Sequence, residues 1–268
     1  GATVQIRYSG IRNGFTRPFG DNDPEVAFIG PLAVLVNRTS ASASEIFAGA
    51  IQDYQRGIVV GGQTFGKGTV QEIIPMDYGQ VKLTRSKFYR ISGESTQHRG
   101  VIPDIKFPDF YDAYDDIGES SLDGALPWDT VRPVEYRAYH PIQAAIPELR
   151  SLHEERAKTS PDFNYLLGQI ERTRELRERE EISLNEEVVK QEREDARKEE
   201  FEAENMRRAL KGLPLEEWVE DEDIDDESSE ALASSDSEVI EPEENEEETE
   251  LDEDDPLILE SGRILADY

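Results

Sequence analysis

Two short apolar runs on either side of a helical segment constrain the fold of this chain most. The runs "LAVLV" at 32–36 and "IVVGG" at 58–62 are continuous, which is typical of strands that are buried on both faces of a sheet. The segment "SASEIFAGAIQDYQRG" between them has the pattern of a short helix, with Gly57 as its stop. This order predicts a βαβ unit whose strands are parallel and whose helix packs on the sheet. We therefore expect an α/β core.

Further strands are predicted before and after this unit. Residues 4–8 alternate between apolar and polar side chains, as a half-buried strand does. The segments "QEIIPM" at 71–76 and "QVKLTRSKFYRI" at 80–91 also have strand composition. Pro103, in "GVIPDI", is expected to end the regular structure of this region. We assign residues 1–107 to the α/β domain.

A highly charged helical domain is predicted over residues 108–215. One helix is expected at "PELRSLHEERAK", a second begins at Pro161, and a third is capped by Asn185 and stopped by Gly212. Their charge is typical of solvated helices with ion pairs one turn apart. The last segment, "PLILESGRILADY" at 256–268, is amphipathic again, and it predicts a short helix that docks onto the fold.

The composition of the chain excludes several classes of function. The segment 216–255 holds 23 Asp and Glu residues and no Lys or Arg, within a formal net charge of −31, and it is predicted to be a disordered linker. An acidic chain repels phosphate backbones, so no nucleic-acid partner is expected. The absence of cysteine excludes disulfides, thiolate zinc sites and a cysteine nucleophile. No apolar run reaches the roughly 18 residues of a membrane span.

The first candidate site is the serine-rich start of the predicted helix, with Ser40, Ser42 and Ser44. Ser42-x-x-Glu45 has the pattern of a capping box, in which the two side chains satisfy the free N–H groups of the first turn. A hydroxyl at a helix N-terminus after a buried strand is also favoured as a nucleophile, because the helix dipole and free N–H groups stabilise an oxyanion. Both interpretations remain open at this point.

The second candidate site is the glycine-flanked lysine of "GGQTFGKGT" at 61–69. This segment approaches the phosphate-binding pattern G-x-x-x-x-G-K-[ST], but Gly68 stands where the magnesium-binding hydroxyl belongs. An amine can instead serve as a general base if desolvation favours its neutral form. Gly66, Gly68 and Phe65 permit close, dry packing around Lys67. The sequence therefore offers a base for Ser42 or, as an alternative, a nucleotide loop.

Histidine offers a weaker alternative for the base. The three histidines, His98, His140 and His153, lie beyond the apolar strands, and none belongs to a motif that would direct it at Ser42. A Ser-His-Asp triad is therefore unsupported by the sequence.

The segment "VLVNRTSASASEIFAGAIQDYQRGIVVGGQTFGKGTVQ" resembles the active-site region of the C-terminal processing peptidases, in particular the tail-specific proteases of Gram-negative bacteria. "KFYRISGESTQHRGVIPDI" and "GALPWD" are similar to the segments that follow in that subfamily. The resemblance covers most of residues 1–212. It implies a ClpP/crotonase-like protease core, present here in part, followed by a mainly helical C-terminal domain.

The resemblance also implies roles for individual residues. Ser42 falls on the family's nucleophile and Lys67 on its general base, which together form a serine–lysine dyad that cleaves peptides through an acyl-enzyme. Gln71 falls on the glutamine that orients the lysine, and the backbone N–H of Ala43 on an oxyanion donor. The tail-specific proteases also have an aspartate at the position of Asp53. Its distance from Ser42 along the predicted helix favours a supporting role over direct contact.

Spacing limits how Gln71 can act. In a straight strand, residues 67 and 71 would lie about 13 Å apart. A contact between the two side chains therefore requires a bulge or turn at Gly68. A regular strand there would contradict it.

The resemblance implies a periplasmic enzyme that needs neither metal nor nucleotide and is at most peripheral to the inner membrane. Its substrates would be unfolded or tagged polypeptides, with an adaptor protein as a further partner. The family's PDZ domain and the glycine-rich turn that supplies the second oxyanion donor are not among these residues, so the chain is expected to be a C-terminal piece of a longer protease. The alternative is a non-catalytic interaction module from a degenerate relative.

Overall fold

The computed structural model describes residues 1–8, 15–23, 25–114, 116–218 and 254–268. Within these residues the strands are β1 (Ala2–Tyr8), β2 (Thr16–Gly20), β3 (Ala33–Val36), β4 (Ile58–Gly61), β5 (Thr69–Pro75), β6 (Gln80–Tyr89) and β7 (Ile105–Lys106). The α-helices are α1 (Ala43–Asp53), α2 (Ile142–Thr159), α3 (Pro161–Arg177), α4 (Glu186–Lys211) and α5 (Pro256–Asp267). The chain is thus a mixed α and β protein, as predicted.

The predicted βαβ unit is confirmed. Strands β3 and β4 pair in parallel, with Ala33 opposite Ile58 and Val36 opposite Gly61, and α1 connects them. Val59 and Val60 of β4 are fully buried, as its continuous apolar run predicts, but the same prediction was wrong for β3, where Val36 is buried and Leu35 is 41% exposed. Because the strands are parallel, their carboxyl ends and the start of α1 lie at the same edge of the sheet.

The prediction that Pro103 ends the regular structure was wrong. Strand β7 follows it and pairs in parallel with β4, opposite Val60 and Gly61. Proline cannot donate to a ladder, but β7 begins two residues later and its position depends on β4 rather than on its own sequence. The sheet order is β3-β4-β7.

A second sheet has the order β2-β1-β6-β5 and contains the other predicted strands. Strands β5 and β6 form an antiparallel hairpin whose register shifts between Val70 and Gln71. Strand β2 was not predicted, since "TRPFG" contains Pro18 and lacks alternation. Its position at an edge of this sheet explains why a proline is tolerated there.

An ion cluster attaches the "GALPWD" segment to this second sheet. The Asp129 carboxylate accepts hydrogen bonds from Lys87 Nζ at 2.6 Å, Arg7 Nη2 at 2.6 Å and Tyr89 Oη at 3.1 Å. Burial by itself raises the pKa of Asp129, but the hydrogen bonds from Lys87, Arg7 and Tyr89 outweigh it and bring the pKa below its ordinary value. This cluster fixes the chain between the strands and the helices.

Helices α2, α3 and α5 pack on the face of the parallel sheet. Ile58 and Phe107 share one apolar cluster with Ile146, Phe163 and Ile264, and all five side chains are buried. The predicted docking of the terminal helix is therefore confirmed. It belongs to one compact unit with residues 1–182.

Docking of α5 also depends on buried charge. Glu260 is 2% exposed, and its Oε1 accepts a hydrogen bond from Arg156 Nε at 2.9 Å and lies 3.0 Å from His153 Nδ1. Burial alone raises the pKa of Glu260, but its partners Arg156 and His153 lower it below the ordinary value. The carboxylate is thereby kept ionised inside the fold.

The second compact unit, residues 183–253, is described as far as residue 218. Helix α4 begins after the N-cap Asn185 and ends at the left-handed Gly212, as predicted, and none of its residues is buried. Ion pairs one turn apart, such as Glu186 with Lys190, support it. Most of the acidic segment 216–255 lies outside the described residues, and the predicted domain boundaries stay predictions. No helix in the described ranges is long and apolar enough to cross a membrane.

We expect Glu260→Gln to lower the stability by about 3 kcal/mol at pH 7, because Arg156 and His153 lose their buried counter-charge. Since the folded-state pKa of Glu260 lies below its ordinary value, its contribution is present above that value and is lost as the pH falls through the folded-state pKa. The difference between variant and parent should therefore shrink on acidification. Urea unfolding from pH 7 to pH 3 measures it, with the exposed Glu155→Gln as control. A constant difference would contradict the assignment.

Candidate active site

Ser42 occupies the N-cap of α1 in an unusual backbone conformation. Its φ is 56° and its ψ is −109°, a combination that residues with a Cβ rarely adopt. Such strain costs on the order of 1–3 kcal/mol and persists only where the surroundings enforce it. A strained backbone at the start of a helix that follows a sheet strand is the type of geometry that presents a nucleophilic serine.

The Glu45 carboxylate connects the start of α1 to the loop that carries Lys67. Glu45 is fully buried, and its Oε2 accepts hydrogen bonds from the backbone N–H groups of both Ser42 and Lys67, each at 2.9 Å. Because one oxygen holds both groups, the two backbone nitrogens can be no more than about 6 Å apart. Its Oε1 accepts from Thr64 Oγ1 at 2.6 Å and from Gly66 N–H at 2.7 Å.

These four donors define the chemistry of Glu45. Burial raises the pKa of Glu45 above its ordinary value, and the hydrogen bonds from Thr64, Gly66, Ser42 and Lys67 act in the opposite direction. Backbone N–H groups donate to both oxygens, and an amide in either orientation would turn its NH₂ group toward at least one of them. The capping pattern Ser42-x-x-Glu45 is thus present on the carboxylate side, and it also reaches partners about 20 residues away.

Residues 64–68, called here the Lys67 loop, are held at every position. The backbone N–H groups of the loop donate as follows: Thr64 to Val101 O (3.2 Å), Phe65 to Ser40 O (3.0 Å), Gly66 and Lys67 to the Glu45 carboxylate, and Gly68 to Gln97 Oε1 (2.8 Å). A phosphate-binding loop needs such N–H groups free to face the ligand. Since protein oxygens occupy all five, the nucleotide interpretation of this segment is not supported.

The glycines beside Lys67 are required by close packing. Gly66 has a φ of +96°, and a Cβ there would lie 2.9 Å from the carbonyl carbon of His98. A Cβ on Gly68 would lie 2.6 Å from the backbone nitrogen of Gln97. Both distances are shorter than any real contact of this kind, so "GKG" reflects tight apposition to residues 97–98.

The structure places the other predicted residues around this centre. Ala43 is the first residue of α1, where a helix leaves N–H groups without intrahelical acceptors. Asp53 lies at the far end of α1, and its carboxylate pairs with Arg90 and accepts from Ser92 N–H at 3.3 Å. Gln71 is exposed in β5, beside the register shift.

A contact between the Lys67 and Gln71 side chains is predicted to require a bulge or turn at Gly68. Residues 67 and 68 precede β5, which begins at Thr69, so residues 67–71 are not a regular strand. The irregularity lies between Val70 and Gln71 rather than at Gly68. A contact between Lys67 and Gln71 stays a prediction.

Among the described residues, no hydrogen bond joins a histidine to Ser42. His153 is buried against Glu260, and His140 is exposed. His98 donates its backbone N–H to Gly66 O at 2.9 Å, and its Nε2 is buried without a hydrogen-bond partner within those ranges. The histidine triad therefore gains no support.

Comparison with known proteins places this site in a family. Residues 113–268 match the model described as the C-terminal domain of tail specific protease (DUF3340), and residues 3–107 match peptidase family S41. The chain belongs to the tail-specific protease family. Over 212 residues it is 39% identical to the tail-specific protease of Haemophilus influenzae, an alignment that covers 74% of this chain and 30% of that protein.

Other relatives match a smaller part of the chain. The carboxy-terminal-processing protease of Bartonella bacilliformis is 49% identical over 102 residues, which are 36% of this chain and 24% of that protein. A solved photosystem II D1 C-terminal processing protease aligns at 35% identity with a TM-score of 0.34, over 40% of this chain and 27% of that one. The chain thus spans less than a third of these proteins.

We expect Ser42→Gly to be more stable than Ser42→Ala by about 1 kcal/mol, because only glycine relieves the strained backbone. Chemical denaturation of the two variants measures the difference. The matched pair Ser44→Gly and Ser44→Ala, at the second residue of α1, should show the opposite order, since alanine is favoured over glycine in a helix. Equal stability of the two Ser42 variants would show that residue 42 is unstrained.

We expect Glu45→Gln to cost about 1–3 kcal/mol of stability, because in either orientation its amide NH₂ would face at least one backbone donor. Urea unfolding measures the loss, and the exposed Glu148→Gln, with no such partners, should remain at the parental value. An unchanged midpoint in Glu45→Gln would contradict the bridging role.

Proposed function

We propose that this chain carries the catalytic residues of a serine endopeptidase that processes or degrades proteins from their C-terminal tails. The observation that carries the proposal is the Glu45 bridge, which holds the backbones of Ser42 and Lys67 beside each other. Membership of the tail-specific proteases supports the same activity. Ser42 is the nucleophile in this proposal, and Lys67 is the general base.

The reaction follows from these two groups. Lys67 Nζ removes the proton of Ser42 Oγ as the oxygen attacks the carbonyl carbon of the scissile peptide bond. The proton then passes from Lys67 to the leaving amine when the C–N bond breaks, which leaves an acyl-enzyme on Ser42. A water molecule gives a proton to Lys67 as it attacks the ester carbonyl, and Lys67 passes that proton to Ser42 Oγ when the ester C–O bond breaks, which releases the new carboxyl end and restores both residues. The Ala43 N–H stabilises the oxyanion in both steps.

Two further residues support the dyad in this proposal. Gln71 orients Lys67 through its side-chain amide, from the start of β5. Asp53 anchors the end of α1, since its ion pair with Arg90 joins the helix to the residue after β6. Neither residue takes part in bond breaking.

The setting of the activity follows the family. We propose a ClpP/crotonase-like core completed by segments outside this chain, with unfolded or tagged polypeptides as substrates and an adaptor protein that delivers them. The periplasm is the proposed location. No metal or nucleotide takes part in the chemistry.

Cleavage of an unfolded reporter with an apolar C-terminus tests the proposal in the whole protein that contains this chain. We expect Ser42→Ala and Lys67→Ala each to lower kcat by at least about 10³-fold, because each removes half of the dyad. The exposed residues Ser44 and Lys158 provide matched controls, and their alanine variants should retain parental activity.

A serine-reactive probe separates the enzyme from the non-catalytic alternative. Labelling that is lost in Ser42→Ala supports the enzyme, whereas an unlabelled parent protein would favour an interaction module. Full activity of Lys67→Ala would remove Lys67 from the role of base. Stabilisation by ATP with Mg²⁺ would reopen the nucleotide interpretation.

A further inference from the structure

A second buried carboxylate, Glu119, approaches the Lys67 loop from a different segment of the chain. It lies in the short 3-10 helix Glu119–Ser121 and is only 8% exposed. This segment belongs to residues 113–268, which match the C-terminal domain of the family rather than the peptidase model. It therefore brings the C-terminal domain to the candidate catalytic loop.

Glu119 holds the residues on both sides of Lys67. Its backbone N–H donates to Phe65 O at 2.9 Å, two residues before the lysine. Its Oε1 accepts from Gln97 Nε2 at 2.7 Å, and Gln97 Oε1 accepts from Gly68 N–H at 2.8 Å, one residue after the lysine. The main chain is thus held on either side of Lys67 by one residue of the C-terminal domain.

The orientation of the Gln97 amide depends on the carboxylate. Gln97 is fully buried, so each end of its amide needs a partner. Gly68 N–H requires the oxygen of Gln97, and the NH₂ group is then directed at Glu119 Oε1. Without an acceptor at residue 119, the amide would be left with an unsatisfied donor and could rotate away from Gly68.

The approach of this segment is close enough to need a glycine. Gly118 has a φ of +130°, and a Cβ there would lie 3.2 Å from Phe65 O and 3.3 Å from Arg38 Cζ. Arg38 in turn donates from Nη1 to Thr64 O at 3.2 Å. The contact between residues 118–119 and the Lys67 loop is therefore tight packing over several atoms.

We propose that Glu119 and Gln97 are positioning residues for the general base, through which the C-terminal domain completes the catalytic site. This inference rests on the proposed function of Ser42 and Lys67. Neither side chain touches the reacting atoms in this proposal. They set the path of the Lys67 loop, and a displacement of about 1 Å in a catalytic group can cost up to about 100-fold in rate.

The test compares two variants of similar size at residue 119 in the whole protein. Glu119→Leu removes the acceptor and should lower kcat roughly 10- to 100-fold with KM changed less than about twofold. Glu119→Gln keeps an acceptor oxygen for Gln97 and should retain most of the parental kcat. The pH profile of kcat/KM, whose acid limb reports the free enzyme's base, should change in Glu119→Leu but not in Glu119→Gln.

Further variants keep the test decisive if Glu119→Leu does not fold. Gln97→Asn shortens the bridge but keeps it polar, and it should lower kcat with the same change in the pH profile. Where it folds, the double variant Gln97→Asn with Glu119→Leu should lose less than the product of the two single losses, because both residues act in one chain of hydrogen bonds. Glu260→Gln, a buried carboxylate remote from the loop, should lose stability but keep parental kcat and pH profile.

The outcomes separate this inference from the proposed function. Parental kcat and pH profile in folded Glu119→Leu or Gln97→Asn would overturn it and leave these residues a role in stability alone. Reporter cleavage that persists in Ser42→Ala would instead overturn the proposed function.

Discussion

The candidate active site depends on one buried carboxylate, Glu45. It has no solvent exposure, and its two oxygens accept four hydrogen bonds from residues at the start of α1 and in the Lys67 loop. Hydrogen bonds to an ionised acceptor are about twice as strong as neutral ones, and the buried site increases the cost of losing any of them. The bridge therefore fixes the distance between two segments that the chain separates by more than 20 residues.

The parallel sheet makes that bridge possible. Strands β3 and β4 end at one edge, so the turn after β3 and the turn after β4 emerge as neighbours. The turn after β3 leads to Ser42 and α1, and the turn after β4 leads to Lys67. The Glu45 carboxylate, in the first helical turn of α1, can therefore reach the backbone of the Lys67 loop with its own side chain. The backbone strain at Ser42 is maintained by the same hydrogen bonds.

Later parts of the chain return to the core three times. Asp129 binds the second sheet, Glu119 reaches the Lys67 loop through Gln97, and α5 inserts Ile264 among the side chains that cover the parallel sheet. Asp129 and, in α5, Glu260 are charged side chains with several partners, whereas the Glu119 carboxylate has Gln97 as its partner. A buried charge tolerates few positions, because its desolvation must be offset by correctly placed partners. These contacts hold the segments of the C-terminal domain against the protease segment.

The local sequence was sufficient to predict the elements whose conformation depends on residues nearby in the chain. Strands β3 and β4 and helix α1 followed from apolar runs and helical spacing, and the ends of α4 followed from Asn185 and Gly212. Strand β2 and strand β7 could not be predicted this way, since each owes its conformation to a neighbouring strand from a distant part of the chain.

The sequence by itself determined that Ser42 begins a helix after a buried strand and that Lys67 lies between glycines after the next one. It also determined the resemblance to the tail-specific proteases. Only the tertiary structure decided that Glu45, recognised in the sequence as a helix cap, is also the bridge between these two sites. Only the tertiary structure brought Gln97 and Glu119 to the same loop. The physical reason is that a hydrogen bond depends on distance in space, whereas sequence patterns record only neighbours along the chain.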